Sequence, residues 1–165
     1  GLLRFRPVDL LYGIALGGML RLAQGWIAGA AGEPTVWPTY PSIGGALPPR
    51  WWFDDALGTA LIAPVLEEFF FRAVILVAVY TAVRRLAGRA LGAVTATLAS
   101  VGLFVLAHAV IAPLSLGAAA SLVLVALAAS ILVLSTGRIW GAVLLHIVYN
   151  ATWVALATVG TLLSG

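Results

Sequence analysis

The sequence predicts an all-α fold: a polytopic transmembrane helical bundle of about five spans, one of them a broken or membrane-ending helix. Composition is the first reason, since 62% of the 165 residues are hydrophobic and only 9% are charged, against about 25% charged residues in soluble chains. The second reason is that the apolar residues form runs long enough to cross a bilayer, which takes about 20 residues. The mean hydropathy of +1.10 agrees with both observations.

The charges and the missing residue types exclude several classes of function. Every basic residue is an arginine, and the net charge is +3. In a membrane protein such charge marks cytoplasmic loops, so we expect no nucleic-acid partner. The chain has no cysteine, which excludes disulfides, thiolate metal sites and cysteine nucleophiles. A lysine-free, alanine-rich composition is typical of a GC-rich bacterial genome.

Hydrophobic runs and the loops between them divide the chain into spans and two regions. The spans are predicted at about 8–30, 55–83, 91–111, 118–134 and 140–162. Residues 32–50 are rich in proline, glycine and aromatic residues, which predicts an external loop. We therefore separate an N-terminal span with its loop, 1–53, from a core, 54–165, that carries the polar motifs.

Arginine is concentrated in the loops on one side of the predicted bundle. That side carries Arg4, Arg6, Arg84, Arg85, Arg89 and Arg138. The other side carries Glu33, Arg50, Asp54 and Asp55. The positive-inside rule then predicts a cytoplasmic N-terminus and an external C-terminus for a protein integral to the plasma (inner) membrane.

Side chains in and near the external loop have predicted anchoring roles. An aromatic belt at the headgroup level is expected from Trp37, Tyr40, Trp51 and Trp52. Either Asp54 or Asp55 can cap the second helix. Arg21 interrupts the first span, and it either snorkels to the interface or faces the bundle interior as an anion contact.

Two adjacent carboxylates and an arginine interrupt the apolar second span, where ionisable groups are costly and indicate function by default. Glu68 and Arg72 are four residues apart and share a helix face, so they can form an ion pair. Glu67 lies roughly 140° from Arg72 around a helix of 3.6 residues per turn. Glu67 therefore lacks a local partner, and the rest of the chain has to supply one.

Polar residues on the third and fifth spans can supply that partner. Phe104 and His108 are four residues apart, as are His146 and Asn150, so each pair projects from one face of its helix. Spanning helices have no reason to bury such groups separately. The simplest explanation of all three motifs is that their polar side chains meet in the bundle and satisfy one another's hydrogen bonds and charges.

A glutamate, two histidines and an amide suit the hydrolysis of an amide bond. Glu67 can take a proton from a water that a histidine helps to orient, while His146 and Asn150 can donate hydrogen bonds to the developing oxyanion. The same set can instead hold Zn²⁺ through Glu67, His108 and His146, with water in the open position. The spacing leaves both readings open, because there is no HExxH pair and the ligands come from different helices.

The motifs resemble those of a known family. Glu67-Glu68-x-x-x-Arg72, Phe104-x-x-x-His108 and His146-x-x-x-Asn150 follow one another as in the CPBP intramembrane proteases. That family includes the type II CAAX prenyl endopeptidases and bacterial abortive-infection and bacteriocin-processing proteins. The approach to the last motif, residues 136–141, is also similar, and the resemblance covers about residues 55–162.

The resemblance implies an intramembrane endopeptidase, of glutamate type or metalloprotease type, that cuts a peptide bond of a membrane-associated protein or peptide. It makes Glu67 the water-activating base with His108 as its partner, and it assigns His146 and Asn150 to the oxyanion or to a metal. Supporting roles go to Glu68, Arg72 and Phe104. The cofactor is then Zn²⁺ or none, and a bacterial source disfavours a prenylated CAAX substrate.

Two other functions are compatible with the same residues. A catalytically silent member of the family would act as a scaffold or as a partner subunit of another membrane complex. A proton-coupled carrier would use the glutamate and histidine side chains as a relay, but five spans without a sequence repeat disfavour it.

The spacing also has a consequence for the third helix. Threading five simple spans puts His108 near the external side and His146 nearer the cytoplasm, a difference of roughly 10 Å at 1.5 Å per residue. A third helix that ends within the membrane removes this difference. Residues 113–117 then have to pack against protein, since irregular backbone at that depth must be shielded from lipid.

Overall fold

The computed structural model describes residues 1–34, 36–42 and 44–164, so the predicted loop and core lie outside it only at positions 35, 43 and 165. The described residues contain no strand. Their helices are α1 (Pro7–Ala30), α2 (residues 52–87), α3 (residues 89–111), α4 (Leu116–Thr136) and α5 (Trp140–Leu163). Four helical segments, with α2 and α3 counted together as Trp52–Ile111, are long and apolar enough to cross a membrane. The predicted all-α polytopic fold is confirmed.

Gly88 divides the segment Trp52–Ile111 into an antiparallel hairpin. Its φ of 85° and ψ of 171° lie in a region that is essentially restricted to glycine. Beyond it the two arms pack closely, and the Ser100 hydroxyl donates to the Phe71 carbonyl at 2.9 Å. The rings of Phe71 and Phe104 meet edge to face at 5.2 Å. The hairpin therefore aligns the end of α3 with the middle of α2.

The path of α2 is unusual on both sides of the glutamate pair. Trp52–Ile62 and Phe69–Leu76 have the wider turns of a π-helix, and Ala63–Glu68 between them is α-helical. At the first junction the amide of Ala63 bonds to the carbonyl of Gly58, five residues back. π-Turns are frequent at functional sites. Here they change the direction in which successive side chains leave the helix on either side of Glu67 and Glu68.

Close packing joins α1 to α5, the helix that carries His146. A Cβ added to Gly13 would lie 2.3 Å from the Leu144 Cβ, and one added to Gly17 would lie 2.6 Å from the Leu145 carbonyl oxygen. Only glycine permits this approach. On the same face, Leu145 and Tyr149 are buried against residues of α1 and α4. The N-terminal span thus supports one wall of the site.

A buried ion pair closes the end of the bundle at which α1 begins. Asp9 is fully buried, and its carboxylate accepts hydrogen bonds from the Arg138 side chain, the shortest at 2.7 Å, and from the Arg6 amide at 2.8 Å. This contact raises the pKa of the Arg138 guanidinium. Arg138 lies in the turn between α4 and α5, where Gly137 adopts a φ of 67°. The pair fixes α1 to that turn.

The loop that follows α1 packs onto the opposite end of α5. The Tyr40 amide donates to Thr161 Oγ1 at 2.8 Å, and the Trp37 indole donates to the Leu156 carbonyl at 3.0 Å. Glu33 reaches α4 and accepts from the Gly117 amide at 2.7 Å, in the first turn of that helix. An anionic group at a helix N-terminus is stabilising.

Two local predictions for this region are wrong. Neither Asp54 nor Asp55 caps α2, because the helix begins at Trp52 and both acids lie inside its first turn. Tyr40 is buried against Trp153, at 5.7 Å between ring centroids, so it packs within the protein instead of at a headgroup level. Burial raises the pKa of its phenol.

Helix α3 ends at Ile111, and His108 in its last turn faces Glu67 in the middle of α2. The expectation that residues 113–117 pack against protein is met at Gly117, in the first turn of α4, and not along the whole connection. Gly117 is buried beside Glu33, whereas Pro113 and Ser115 are exposed.

Candidate active site

Glu68 is the buried carboxylate that holds two other side chains of the candidate site in place. Its side chain is fully buried, and Oε1 lies 3.1 Å from Arg72 Nη1, which confirms the predicted pair on one face of the helix. The same oxygen accepts a hydrogen bond from His146 Nδ1 at 2.9 Å. Because a carboxylate oxygen only accepts, the proton of this bond belongs to His146 Nδ1. Glu68 therefore joins α2 to α5 and sets the orientation of the imidazole.

Glu67 lies between the two histidines. Its Oε2 atom is 3.8 Å from His146 Nε2 and 4.0 Å from His108 Nε2. These separations are too long for direct hydrogen bonds. Oε2 is buried and has no hydrogen-bond partner among the described residues. The carboxylate that lacked a partner on its own helix thus meets both predicted partners from other helices.

His108 is oriented from within its own helix. Its Nδ1 donates to the Phe104 carbonyl at 2.9 Å, because a carbonyl can only accept. The Phe104 ring is fully buried and lies 4.5 Å from the imidazole, centroid to centroid. Phe104 therefore packs directly against His108. The Nε2 atom is left facing Glu67.

Three hydrogen-bond acceptors face one another in the site: Glu67 Oε2, His108 Nε2 and His146 Nε2. With Nδ1 of each histidine donating elsewhere, the neutral form of each ring presents an Nε2 lone pair to the Glu67 carboxylate. Such an arrangement is stable only with a donor or a cation among the three atoms. A polar separation beyond 3.5 Å is the usual sign of a bridging water. A water can donate to two of these acceptors while its own lone pair remains free.

Asn150 lies beside the cluster without contacting it directly. Its Nδ2 donates to the Thr59 carbonyl of α2 at 3.0 Å. Thr59 belongs to the π-helical stretch that precedes the glutamates. One N–H of the amide is thereby used to hold α5 on α2, and the second N–H remains available.

Exposure divides the site into a floor and an open edge. His146 and Glu68 are 4% and 0% exposed at the side chain, whereas Glu67 and His108 are 29% and 30% exposed. A substrate can therefore reach the site on the side of Glu67 and His108. The buried Arg72 guanidinium, 4.8 Å from the Phe104 ring, closes the site from below.

The donor set has the chemistry of a zinc site, but its atoms are widely spaced. Ligands of a tetrahedral zinc bound at about 2.0–2.1 Å are roughly 3.4 Å apart. Both distances from Glu67 Oε2 to the imidazole nitrogens are longer. In the part of the chain that the structure describes, no three His, Cys, Asp or Glu side chains are grouped to hold a metal. A zinc bound by Glu67, His108 and His146 requires these side chains to move together.

The fold and this centre define a class: a polytopic helical membrane protein with a glutamate–histidine centre between its helices. The family model described as type II CAAX prenyl endopeptidase Rce1-like matches residues 49–152, which is more than half of the chain. The chain therefore belongs to this family of membrane proteases, as the three motifs indicated, and it is an integral membrane protein. Neither the comparison with curated proteins nor that with solved structures gives a match.

Two contacts were not predicted from the sequence, one in the site and one at the end of the bundle. Glu68 was expected to contact only Arg72. Two acids beside one arginine leave one negative charge without a partner on the helix, and Glu68 in fact also accepts a hydrogen bond from His146. No role was predicted for Asp9, although an acid in the first turn of α1 and an arginine before α5 lie on the same predicted side. In both cases the signal was a surplus charge in an apolar segment.

Proposed function

We propose that this protein is an intramembrane endopeptidase in which Glu67 activates a water held with His108. The observation that carries the proposal is the convergence of three acceptors, Glu67 Oε2 and the two Nε2 atoms. A water at this point is oriented by its hydrogen bonds and lies at the exposed edge of the site. That position is suited to attack on the carbonyl of a bound peptide.

The reaction follows from the roles that the contacts permit. Glu67 takes a proton from the water as the water oxygen attacks the carbonyl carbon of the peptide. Glu67 then gives this proton to the leaving amine. His108 holds the water through Nε2. To donate to the oxyanion, His146 has to carry a second proton, on Nε2, while its Nδ1–H stays bonded to Glu68. The free N–H of Asn150 is a second donor for the same oxygen.

The zinc alternative uses Glu67, His108 and His146 as ligands, and a bound zinc would supply Lewis-acid polarisation of the water or carbonyl. Glu68 keeps the same role in that case, because a carboxylate on the second nitrogen of a metal-bound histidine orients the ring. A chelator distinguishes the two cases. Cleavage that survives a strong chelator supports the glutamate-activated water, and cleavage that is lost and then restored by zinc supports the metal.

The substrate is proposed to be a membrane-associated protein or peptide. Family membership supports a CAAX-type role in general terms, and the position of the site between apolar helices suits a substrate that is itself in the bilayer. A prenylated C-terminal peptide and an unmodified transmembrane peptide are the two substrates to compare. We also propose a bacterial plasma membrane, with the N-terminus in the cytoplasm and the C-terminus outside.

The testing experiment is cleavage by purified protein in liposomes, with the products identified by mass spectrometry. The expected result is a defined cut in one of the two peptides that protein-free liposomes do not produce. A catalytically silent scaffold subunit is the alternative function. It predicts no cut in either peptide and an unchanged cellular phenotype when Glu67 is replaced by Gln.

A further inference from the structure

A second polar feature lies in α1, away from the glutamate–histidine centre. A cavity of about 480 Å³ opens between α1, the external loop and α5. Its wall is largely apolar and aromatic, with Trp37 and Trp153 among the lining residues, and its charged member is Arg21. The sequence was compatible with an Arg21 side chain at the membrane interface or in the bundle interior. In the structure its guanidinium lies against α5, on the Tyr149 carbonyl.

Arg21 is held in place by neutral groups. Its Nε and Nη2 donate to the Tyr149 carbonyl at 3.1 and 2.8 Å, and Nη1 donates to Gln24 Oε1. The guanidinium carbon lies 3.8 Å over the Tyr149 ring, whose hydroxyl also bonds to Gln24. Two of the five N–H groups of the guanidinium, one on each Nη atom, take no part in these bonds.

The charge of Arg21 has no counter-charge in the described part of the chain. The described ion pairs of arginine with a carboxylate are Arg50–Asp54, Arg72–Glu68 and Arg138–Asp9. The two acids nearest in sequence are engaged elsewhere: Asp9 pairs with Arg138, and Glu33 accepts from the Gly117 amide. A cation inside a spanning segment is costly unless it is paired. A backbone carbonyl and an amide oxygen satisfy hydrogen bonds but do not neutralise the charge.

An apolar groove continues from the same arginine. It has a volume of about 400 Å³, runs between α1 and α5, and is lined by Arg21, Leu156, Gly18, Leu22 and Ala155. Arg21 and Leu156 border both spaces. An anionic head at Arg21 with an acyl chain in the groove would match the charge and the apolar surface together.

We propose that the Arg21 cavity binds the phosphate group of an anionic phospholipid. The two free N–H groups of Arg21 suit bidentate contact with phosphate oxygens. The lipid is preferred to free phosphate because only a lipid also fills the adjoining groove. Because Tyr149 precedes Asn150 on α5, the bound lipid would also stabilise the helix that carries the proposed oxyanion donors.

The chain offers matched variants for a test. Gly25 lines the cavity, and a Cβ added there has no atom within 4 Å, so Gly25→Leu fills the cavity without touching the bonds of Arg21. Gly102 on α3 is equally open and lies outside the cavity, so Gly102→Leu is the control. Arg21→Gln removes the charge directly, with Arg50→Gln as the control for the loss of an external cation.

The experiment measures lipids retained by the detergent-purified protein in native mass spectrometry, together with the shift in Tm on adding lipid. The wild type is expected to retain one phosphatidylglycerol and to prefer it to phosphatidylcholine. Gly25→Leu and Arg21→Gln should each weaken that binding by about tenfold or more, the value of one charge-assisted contact. Gly102→Leu and Arg50→Gln should bind like the wild type.

Three results would overturn the proposal. The first is equal retention of phosphatidylglycerol by Gly25→Leu and Gly102→Leu. The second is equal binding of phosphatidylcholine by the wild type. The third is competition by excess inorganic phosphate, or an equal Tm shift from it, which would assign the cavity to free phosphate. If Arg21→Gln proves unfolded, Gly25→Leu still decides, because it leaves the guanidinium and its bonds in place.

Discussion

Glu68 accepts a hydrogen bond from Nδ1 of His146 at 2.9 Å and also pairs with Arg72 at 3.1 Å through the same oxygen. One buried carboxylate thus neutralises a guanidinium of its own helix and orients an imidazole of another. The contact with Arg72 concerns stability, and the contact with His146 concerns the proposed chemistry. The two roles can be separated by mutation.

Glu68→Gln should reduce both stability and cleavage. Removing the carboxylate leaves the Arg72 guanidinium buried and unpaired, which costs about 3–5 kcal/mol, and it replaces the anionic acceptor of the His146 Nδ1 proton by a neutral amide oxygen. The free energy of unfolding in detergent and the rate of peptide cleavage are the two measurements. The double variant Glu68→Gln/Arg72→Leu should recover most of the stability but not the cleavage. Wild-type cleavage by the double variant would show that Glu68 has no role beyond the pair with Arg72.

Gly88→Ala should destabilise the hairpin of α2 and α3. A side chain at a φ of 85° and a ψ of 171° costs about 1–3 kcal/mol, and relief of that strain moves α3 and therefore His108. Gly102→Ala on the same helix is the control, since its Cβ meets no atom within 4 Å and the change should stabilise by up to about 1 kcal/mol. Denaturant unfolding measures both. Equal effects of the two variants would mean that Gly88 does not set the hairpin.

Asp9→Asn should destabilise the bundle more than Asp54→Asn. The Asp9 and Arg138 side chains are shielded by the surrounding helices, and breaking a shielded pair costs more than breaking an exposed one. Asp54 and Arg50 are exposed and 3.6 Å apart, so the loss of their pair should cost less than about 1 kcal/mol. The comparison is made by unfolding in detergent. Similar losses for the two variants would contradict a structural role of the buried pair.

Gly17→Ala should displace α1 from α5, because the new Cβ would lie 2.6 Å from the Leu145 carbonyl oxygen. We expect a loss of about 1–3 kcal/mol, as for other overpacked contacts, and slower cleavage because His146 follows Leu145. Gly18→Ala is the neighbouring control, as a Cβ there meets nothing within 4 Å. A lower Tm for Gly18→Ala than for Gly17→Ala would contradict this packing.

Local rules were sufficient to predict the helices and the contacts within them. The pairing of Glu68 with Arg72 follows from their spacing of four residues. The packing of Phe104 on His108 follows from the same spacing. The need for a partner of Glu67 on another helix follows from its angle around α2, and both histidines meet it.

Contacts that depend on how helices rotate against one another could not be predicted. Glu68 meets His146 across two helices, and the π-helical stretches on either side of the glutamates alter the phase of α2, which no local propensity reveals. Tyr40 was assigned to an interface from its residue type, yet the loop folds back and buries it on α5. The prediction that Asp54 or Asp55 caps α2 is wrong because the helix begins earlier, at Trp52.

The most direct test of a Glu67-centred hydrolase compares cleavage by the wild type, Glu67→Gln and Asp54→Asn in liposomes. Each change converts a carboxylate of α2 into an amide, but only Glu67 faces the two histidines. Glu67→Gln should fold and insert normally and lose cleavage by a factor of about 10²–10⁴, the usual contribution of a general base. Asp54→Asn should cleave like the wild type. Undiminished cleavage by folded Glu67→Gln would contradict the proposed role of Glu67 as the base.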